Sequence, residues 1–439
     1  MKEKFFELVD RRSKALQKDE VLLANVHQET SDFVRWNGGR IRQCGTVDQA
    51  YLGLTLIRGD RTCDSILSLT GDLDVDDARC EKAIAALRER LEVVPSDPFV
   101  LYSEEVRSTD RSTPNRLPDR DTVLGDVERA AAGVDFVGSL ASGPMRTGFA
   151  NSLGQRNWEE SHSFLLDWSL FHVEDRAVKA SYSGFEWDSE RFGRIMDSAR
   201  SQLEIMKREP RTVAPGKYRV YLAPAAVQEF LGTMSWGAFG LRAHRTKQSN
   251  LLKLSEGELS LDPRVTLKEN TRDSIAPGFQ GDGYLKPDEV VLVENGKFKD
   301  PLVSPRSAKE FGASVNAGTW ESPNSLELQP GGLAPADVLR ELGTGLYVNN
   351  LWYMNFSDRT ACRMTGMTRF ATFWVEDGEI VAPVKVMRFD ESAYRVLGSE
   401  LEDLTSESEL LVVPDTYGGR SSESYRVPGI LLRNFEFTL

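Results

Sequence analysis

Apolar positions at the start of the chain follow two rhythms. Phe5, Phe6, Val9 and Leu16 recur at near-helical spacing, whereas residues 21–26 and 32–36 read as strands that break at Asn37-Gly38-Gly39. Residues 49–57 and 61–69 alternate around Arg58-Gly59-Asp60 and predict an antiparallel hairpin. From 74 to 91, Val75, Ala78, Ile84, Leu87 and Leu91 fall on one face, which predicts an amphipathic helix over that sheet. Residues 95–120 are rich in Pro, Asp, Ser and Arg and suit an exposed connection.

A second block repeats the order helix then strands. Residues 122–132 are helical in pattern, residues 136–141, 163–171 and 177–183 alternate as strands, and residues 188–207 close the block as a helix. Pro210 and Pro215 make residues 209–217 the best linker in the chain, which predicts domains at 1–209 and 216–439. In the second half, Val293-Glu294-Asn295-Gly296 precedes Pro301 and Val375-Glu376-Asp377-Gly378 precedes Pro383. Asn-Gly and Asp-Gly supply the two positive-φ positions of a type I′ turn, so each stretch predicts a hairpin. With four matched positions, two ordinary hairpins are favoured over a duplication. The predicted class is α+β: two domains, helices packed on antiparallel sheets, the C-terminal domain rich in strands.

Composition narrows the picture. A chain of 439 residues with 40% hydrophobic content can build large cores without staples. Cys44, Cys63, Cys80 and Cys362 form no C-x-x-C pair and are expected as reduced thiols, mostly buried. Charge interrupts residues 1–7 and no eighteen apolar residues run together, so a signal peptide and a spanning helix are not expected, and the expected location is cytoplasmic. A net charge of −13 opposes a phosphate backbone, so nucleic acid is not an expected partner; the local cluster of Arg242, His244, Arg245 and Lys247 fits a solvated face.

Catalytic patterns are sparse. A zinc peptidase needs imidazoles on one helical face and a carboxylate to activate water, but His27, His162, His172 and His244 are dispersed. There is no G-x-S-x-G elbow, no phosphate loop of the form G-x-x-x-x-G-K-[ST], and no G-x-G-x-x-G after a strand. Cys362, between Arg359 and Arg363, is the thiol with cationic neighbours, and a structural role is the simpler reading. Residues 342–356 stand out because Tyr347, Asn349, Asn350, Trp352 and Tyr353 follow two glycines. Their amides can pair with peptide groups and their rings offer contact area at low entropic cost, so they are candidate substrate- or partner-facing residues. The competing reading is a buried strand pair with Asn at its turns.

Several stretches in order resemble the TldD/PmbA family, once described as modulators of DNA gyrase and now regarded as peptidases that mature or degrade small proteins. They are residues 218–224 with the following helix at 225–239, Gly281-Asp282-Gly283 leading to Val293-Glu294-Asn295-Gly296, residues 307–312, Gly343-Thr344-Gly345-Leu346-Tyr347-Val348, and residues 373–380. Residues 34–43 resemble the family more faintly. TldD-like members carry H-E-x-x-x-H where this chain has residues 225–239, and a metal-binding cysteine near the C-terminus. Here residues 228–239 hold no histidine and the tail around Tyr417-Gly418-Gly419 holds no cysteine. The resemblance therefore implies a TldE-like (PmbA-like) subunit with no catalytic or metal residues of its own. Zinc is expected in a TldD-like partner, an extended peptide is the expected substrate, and a homodimer can form without the partner. The rival readings are an autonomous hydrolase around Cys362, His244 or the pair Asp282 and Asp288, and a partner-free peptide-binding adaptor.

Overall fold

The computed structural model describes residues 1–174 and 176–438. The chain opens with α1 (Lys2–Ser13), then three long strands: β1 (Glu20–Asn37), β2 (Arg40–Arg58) and β3 (Arg61–Ser68). Helix α2 (Leu73–Leu91) and the short β4 (Thr109–Ser112) follow, then α3 (Arg120–Ala131), β5 (Asp135–Asn151), β6 (Arg156–Val173), β7 (Arg176–Gly184) and α4 (Ser189–Met206). The seven strands form one sheet, ordered β3-β2-β1-β5-β6 with β4 and β7 beside β6. One core lies under α1 and α2, and a second, rich in aromatics, lies under α3 and α4.

Three local expectations change. The predicted strands at 21–26 and 32–36 are one continuous strand, because the polar residues between them are satisfied in place. Glu29, for example, accepts from Gln49 Nε2 at 2.5 Å and from the Arg420 backbone N–H at 3.0 Å. Val75 and Ala78 of α2 point to solvent; the buried face begins instead at Asp76, whose carboxylate accepts from the N–H groups of Thr70 at 2.9 Å and Gly71 at 3.0 Å. Within the expected connection at 95–120, β4 pairs in parallel with β6.

The second half contains β8 (Gly216–Leu222), α5 (Pro224–Met234), α6 (Leu241–Arg245), α7 (Leu252–Ser255), β9 (Leu267–Asn270), β10 (Glu289–Glu294), β11 (Lys297–Phe298), α8 (Pro305–Phe311) and β12 (Ser325–Leu328). It continues through α9 (Val338–Leu342), β13 (Gly345–Asp358), β14 (Arg363–Glu376), β15 (Glu379–Pro383), β16 (Arg388–Ser392), β17 (Leu401–Val412) and β18 (Ser424–Phe437). These strands make an eleven-stranded mixed sheet in which β18, β16, β14, β13 and β8 close into a ring, since β8 also pairs with β18. Two of its pairings, β8 with β13 and β12 with β18, are parallel rather than antiparallel. The molecule is α+β, with 24% helix and 43% strand.

Both predicted hairpin turns are present. Asn295 and Gly296 have φ of 49° and 76°, and Asp377 and Gly378 have 50° and 81°, the paired positive values that a type I′ turn requires. Helix α5 ends at Met234, short of the predicted residue 239, where Gly237 turns the chain with φ 84°.

The two halves are bolted together. Asn25 Nδ2 donates to Gly281 O at 3.0 Å, Gln155 Nε2 to Gly283 O at 2.7 Å, and Ser183 Oγ to Leu410 O at 2.7 Å. The buried Arg420 guanidinium reaches from the second half to Gly143 O at 3.0 Å and to Ser163 O at 2.8 Å. Burial lowers its pKa to about 10, and it remains charged.

Candidate functional site

Helix α5 has two faces. Ala226, Val227, Phe230, Leu231 and Met234 enter the core, while Ala225, Gln228, Glu229 and Gly232 recur at i, i+3, i+4 and i+7 and form the opposite stripe. That stripe looks toward the first sheet. Glu229 lies within electrostatic range of Lys179 on β7 and Asp167 on β6, which pair with each other at 3.5 Å. Gly232 leaves room for the Tyr425 hydroxyl, which a Cβ there would meet at 3.2 Å; that hydroxyl donates to Glu423 Oε1 at 2.7 Å.

Strand β13 supplies the next wall. The Tyr347 ring lies 5.1 Å from that of Tyr221 and 6.3 Å from that of Phe373. Burial and the nearby Glu409 push its hydroxyl pKa up to about 12. Asn349 Nδ2 donates across the seam to Lys179 O at 2.9 Å and to Asn350 Oδ1 at 3.0 Å. Glu409 comes from β17 and faces Arg191 of α4. Water reaches Glu229 and Glu409, yet protein encloses each closely enough that burial raises its carboxyl pKa. Solvent exposure with protein packed closely around both side chains makes the ground between α5, β13 and β17 on one side and β6 and β7 on the other the candidate cleft. Asp167 is raised by the same cause, against the pull of Lys179.

The five residues singled out on β13 do not form one group. Tyr347 and Asn349 line the cleft. Asn350 is buried. Trp352 and Tyr353, 44% and 75% exposed, stand on the open end of the strand. Sequence reasoning missed Asp167, Lys179, Arg191 and Glu409. A charge between Leu166 and Trp168 in an apolar strand could have flagged Asp167; Glu409, in the polar run Ser406-Glu407-Ser408-Glu409, carried no such signal.

A catalytic metal does not fit this cleft. Helix α5 offers no imidazole or thiolate, and the ammonium of Lys179 stands near its one carboxylate. Among the described residues, no three His, Cys, Asp or Glu side chains are gathered so as to hold an ion. Nor do the rival candidates assemble. Cys362 is buried in the β13–β14 turn, which pushes its thiol up to about 12, and a thiol so held is a poor nucleophile. His244 packs on Phe298 at 4.5 Å and shares hydrogen bonds with Ser255 and Ser249 at 3.0 and 3.4 Å. Asp288 pairs with Arg272 on the surface at 2.9 Å.

The sequence profile of the PmbA/TldA metallopeptidase C-terminal domain matches residues 215–439, from the start of β8 onward. The chain belongs to the PmbA/TldD family. None of the curated proteins matches it in sequence. Among solved structures it is similar to TldE from Thermococcus kodakarensis, with TM-score 0.79 at 15% identity, over 99% of this chain and 100% of that one. It is also similar to a proposed modulator of a DNA gyrase from Thermotoga maritima, with TM-score 0.74 at 16% identity over 99% and 100% of the two chains. A third, a proposed DNA gyrase modulator from Bacteroides thetaiotaomicron, gives 0.74 at 16% over 100% and 98%. At such identities the likeness is one of fold, and it spans the N-terminal sheet as well as the region that the PmbA/TldD profile covers. Among the described residues, no helix of this PmbA/TldD member is long and apolar enough to cross a membrane.

Proposed function

We propose that this PmbA/TldD-family chain is a TldE-like subunit, with domains at 1–209 and 216–439, that works beside a metal-bearing TldD-like partner and holds extended peptide for it in the cytoplasm. One observation carries the reading: the cleft-facing stripe of α5 presents Glu229 beside Lys179 where the family resemblance would place metal-binding histidines. A wall of amides, phenols and carboxylates offers both hydrogen-bond donors and acceptors, which suits peptide groups regardless of side chain. It offers neither a Lewis acid nor a nucleophile paired with a base.

Co-expression of tagged chain with a TldD-like protein from the same genome, followed by metal analysis of each, tests this. The expected result is a stable pair whose zinc travels with the partner, the chain alone holding far less than one ion per molecule. Stoichiometric zinc on the isolated chain, or failure of any TldD-like protein to co-purify, contradicts it.

A further inference from the structure

Strand β13 is paired on both sides only near its start. Strand β8 accompanies it from Leu346 to Val348; beyond that, through Asp358, its sole strand neighbour among the described residues is β14. The first part of the β13–β14 hairpin is covered, since Phe373 and Ala371 join the aromatic core of the N-terminal half. The far part protrudes. There Trp352 opposes Met367, which opposes Arg388 of β16, so the three side chains share one face.

That face is cationic as well as aromatic. The Arg369 guanidinium lies over Trp352 at 4.0 Å and over Phe370 at 5.1 Å, whereas Phe356, paired with the buried Met364, turns to the other face with Arg359 over it at 4.7 Å. Lys385 is exposed on the loop that joins Val384, bonded to Thr372, to Met387, bonded to Thr368. Of the nearby carboxylates, Asp390 pairs with Arg363 at 3.2 Å, while Asp358, at the far end of the strand, keeps its charge and accepts the Ala361 N–H at 3.1 Å. Among the described residues, no carboxylate pairs with Arg359, Arg369, Lys385 or Arg388. In a chain of net charge −13, Arg369, Lys385 and Arg388, none of them paired among the described residues, stand around two exposed aromatics.

The backbone adds a second feature. Tyr353 and Phe370 adopt φ of 55° and 57°, each at a shift in the β13–β14 register. Bulky residues rarely hold that conformation, and such bulges re-aim side chains at sheet edges. The bulge at Tyr353 sits on the unpaired stretch and turns its ring outward beside Trp352, 5.6 Å away.

We propose that the open edge of β13 at 350–358 takes an acidic extended peptide, added as a strand, whose carboxylates meet Arg369, Arg388 and Lys385. This rests on the reading above that the chain holds extended peptide, and it adds the charge class. Single-stranded nucleic acid also favours arginine with aromatics, but it cannot use the free N–H and C=O groups of a strand edge, and the molecule's overall charge repels it.

Fluorescence anisotropy with the full chain tests this, using labelled peptides of about nine residues in which Thr alternates with Glu, Gln or Lys. The Glu peptide is expected to bind roughly tenfold tighter than the Gln peptide, with the Lys peptide weakest and the gap narrowing as salt rises. The double variant R369Q/R388Q, at half-buried and exposed positions without ion pairs among the described residues, should lose the preference for Glu, the Glu-to-Gln affinity ratio falling to about one. N-methylation of alternate amides in the Glu peptide should abolish binding. Equal binding of Glu and Gln peptides, or a Glu preference that survives R369Q/R388Q, overturns the charge assignment while leaving peptide holding intact. A thymidine oligomer that outcompetes the Glu peptide overturns it in favour of nucleic acid. If none of the three peptides binds, the peptide-holding reading falls with it.

Discussion

Asp282 sits in the loop that docks the second half onto the first. Its carbonyl accepts the Ser103 N–H at 2.8 Å, and the Tyr284 hydroxyl beside it donates to Tyr102 O at 3.1 Å. Burial alone pushes its carboxyl up to about 6 from 3.8. A raised folded-state pKa contributes stability that is full below the unfolded value and lost as pH rises through the folded one, so the window runs from about 3.8 to about 6. Asp282→Asn should therefore stabilise the protein by roughly 1–3 kcal/mol at neutral pH, an advantage that fades toward pH ~4; urea unfolding at both values checks it. Trp352→Ala, at a half-open ring, should cost under about 1 kcal/mol, whereas Phe373→Ala, fully buried, should cost about 3–5 kcal/mol. Thermal melts separate the two. The aromatic and Asn content of residues 342–356 was legible as a surface worth attention, but its division was not. Nothing in the sequence marks Tyr353 or Phe370 as left-handed, and those two residues set which side chains turn outward.

At the scale of elements, two hairpins with matching sequence signals differ in their surroundings. A Cβ on Gly296 would meet Leu261 O at 2.4 Å and Asp262 O at 2.7 Å, while one on Gly378 would meet nothing nearer than Arg340 Cα at 3.4 Å. Both turns charge a non-glycine residue about 1–2 kcal/mol for its positive φ, but only the first adds a backbone clash. Gly296→Ala should thus destabilise by at least about 2 kcal/mol more than Gly378→Ala, as urea midpoints would show. The turn chemistry was readable because it is local. The continuity of β1 through residues 27–31 was not, because Glu29 is satisfied by Gln49 and by Arg420, nearly four hundred positions away. The inner face of α2 was misread for a similar reason, the partners of Asp76 lying in the preceding turn rather than in the helical pattern.

Across the whole molecule, the class and the family resemblance followed from periodicity and ordered motifs, while the cleft did not, since it forms only when β6 and β7 face α5, β13 and β17. Arg420 helps to hold that arrangement. Arg420→Gln should cost about 3 kcal/mol, the penalty of breaking a buried charged network, and should open residues 414–423 to protease, read as new cleavage there under native conditions. The central claim is that this subunit shapes and holds while its partner cleaves. Hydrolysis of an unstructured acidic peptide, followed for the chain alone and for the chain with a TldD-like partner, tests it most directly. The account predicts no turnover by the chain alone, turnover by the pair, and a change of less than about threefold, under 1 kcal/mol of barrier, when the pair carries Cys362→Ala or His244→Ala in this chain. Turnover by the isolated chain that Cys362→Ala stops would contradict it.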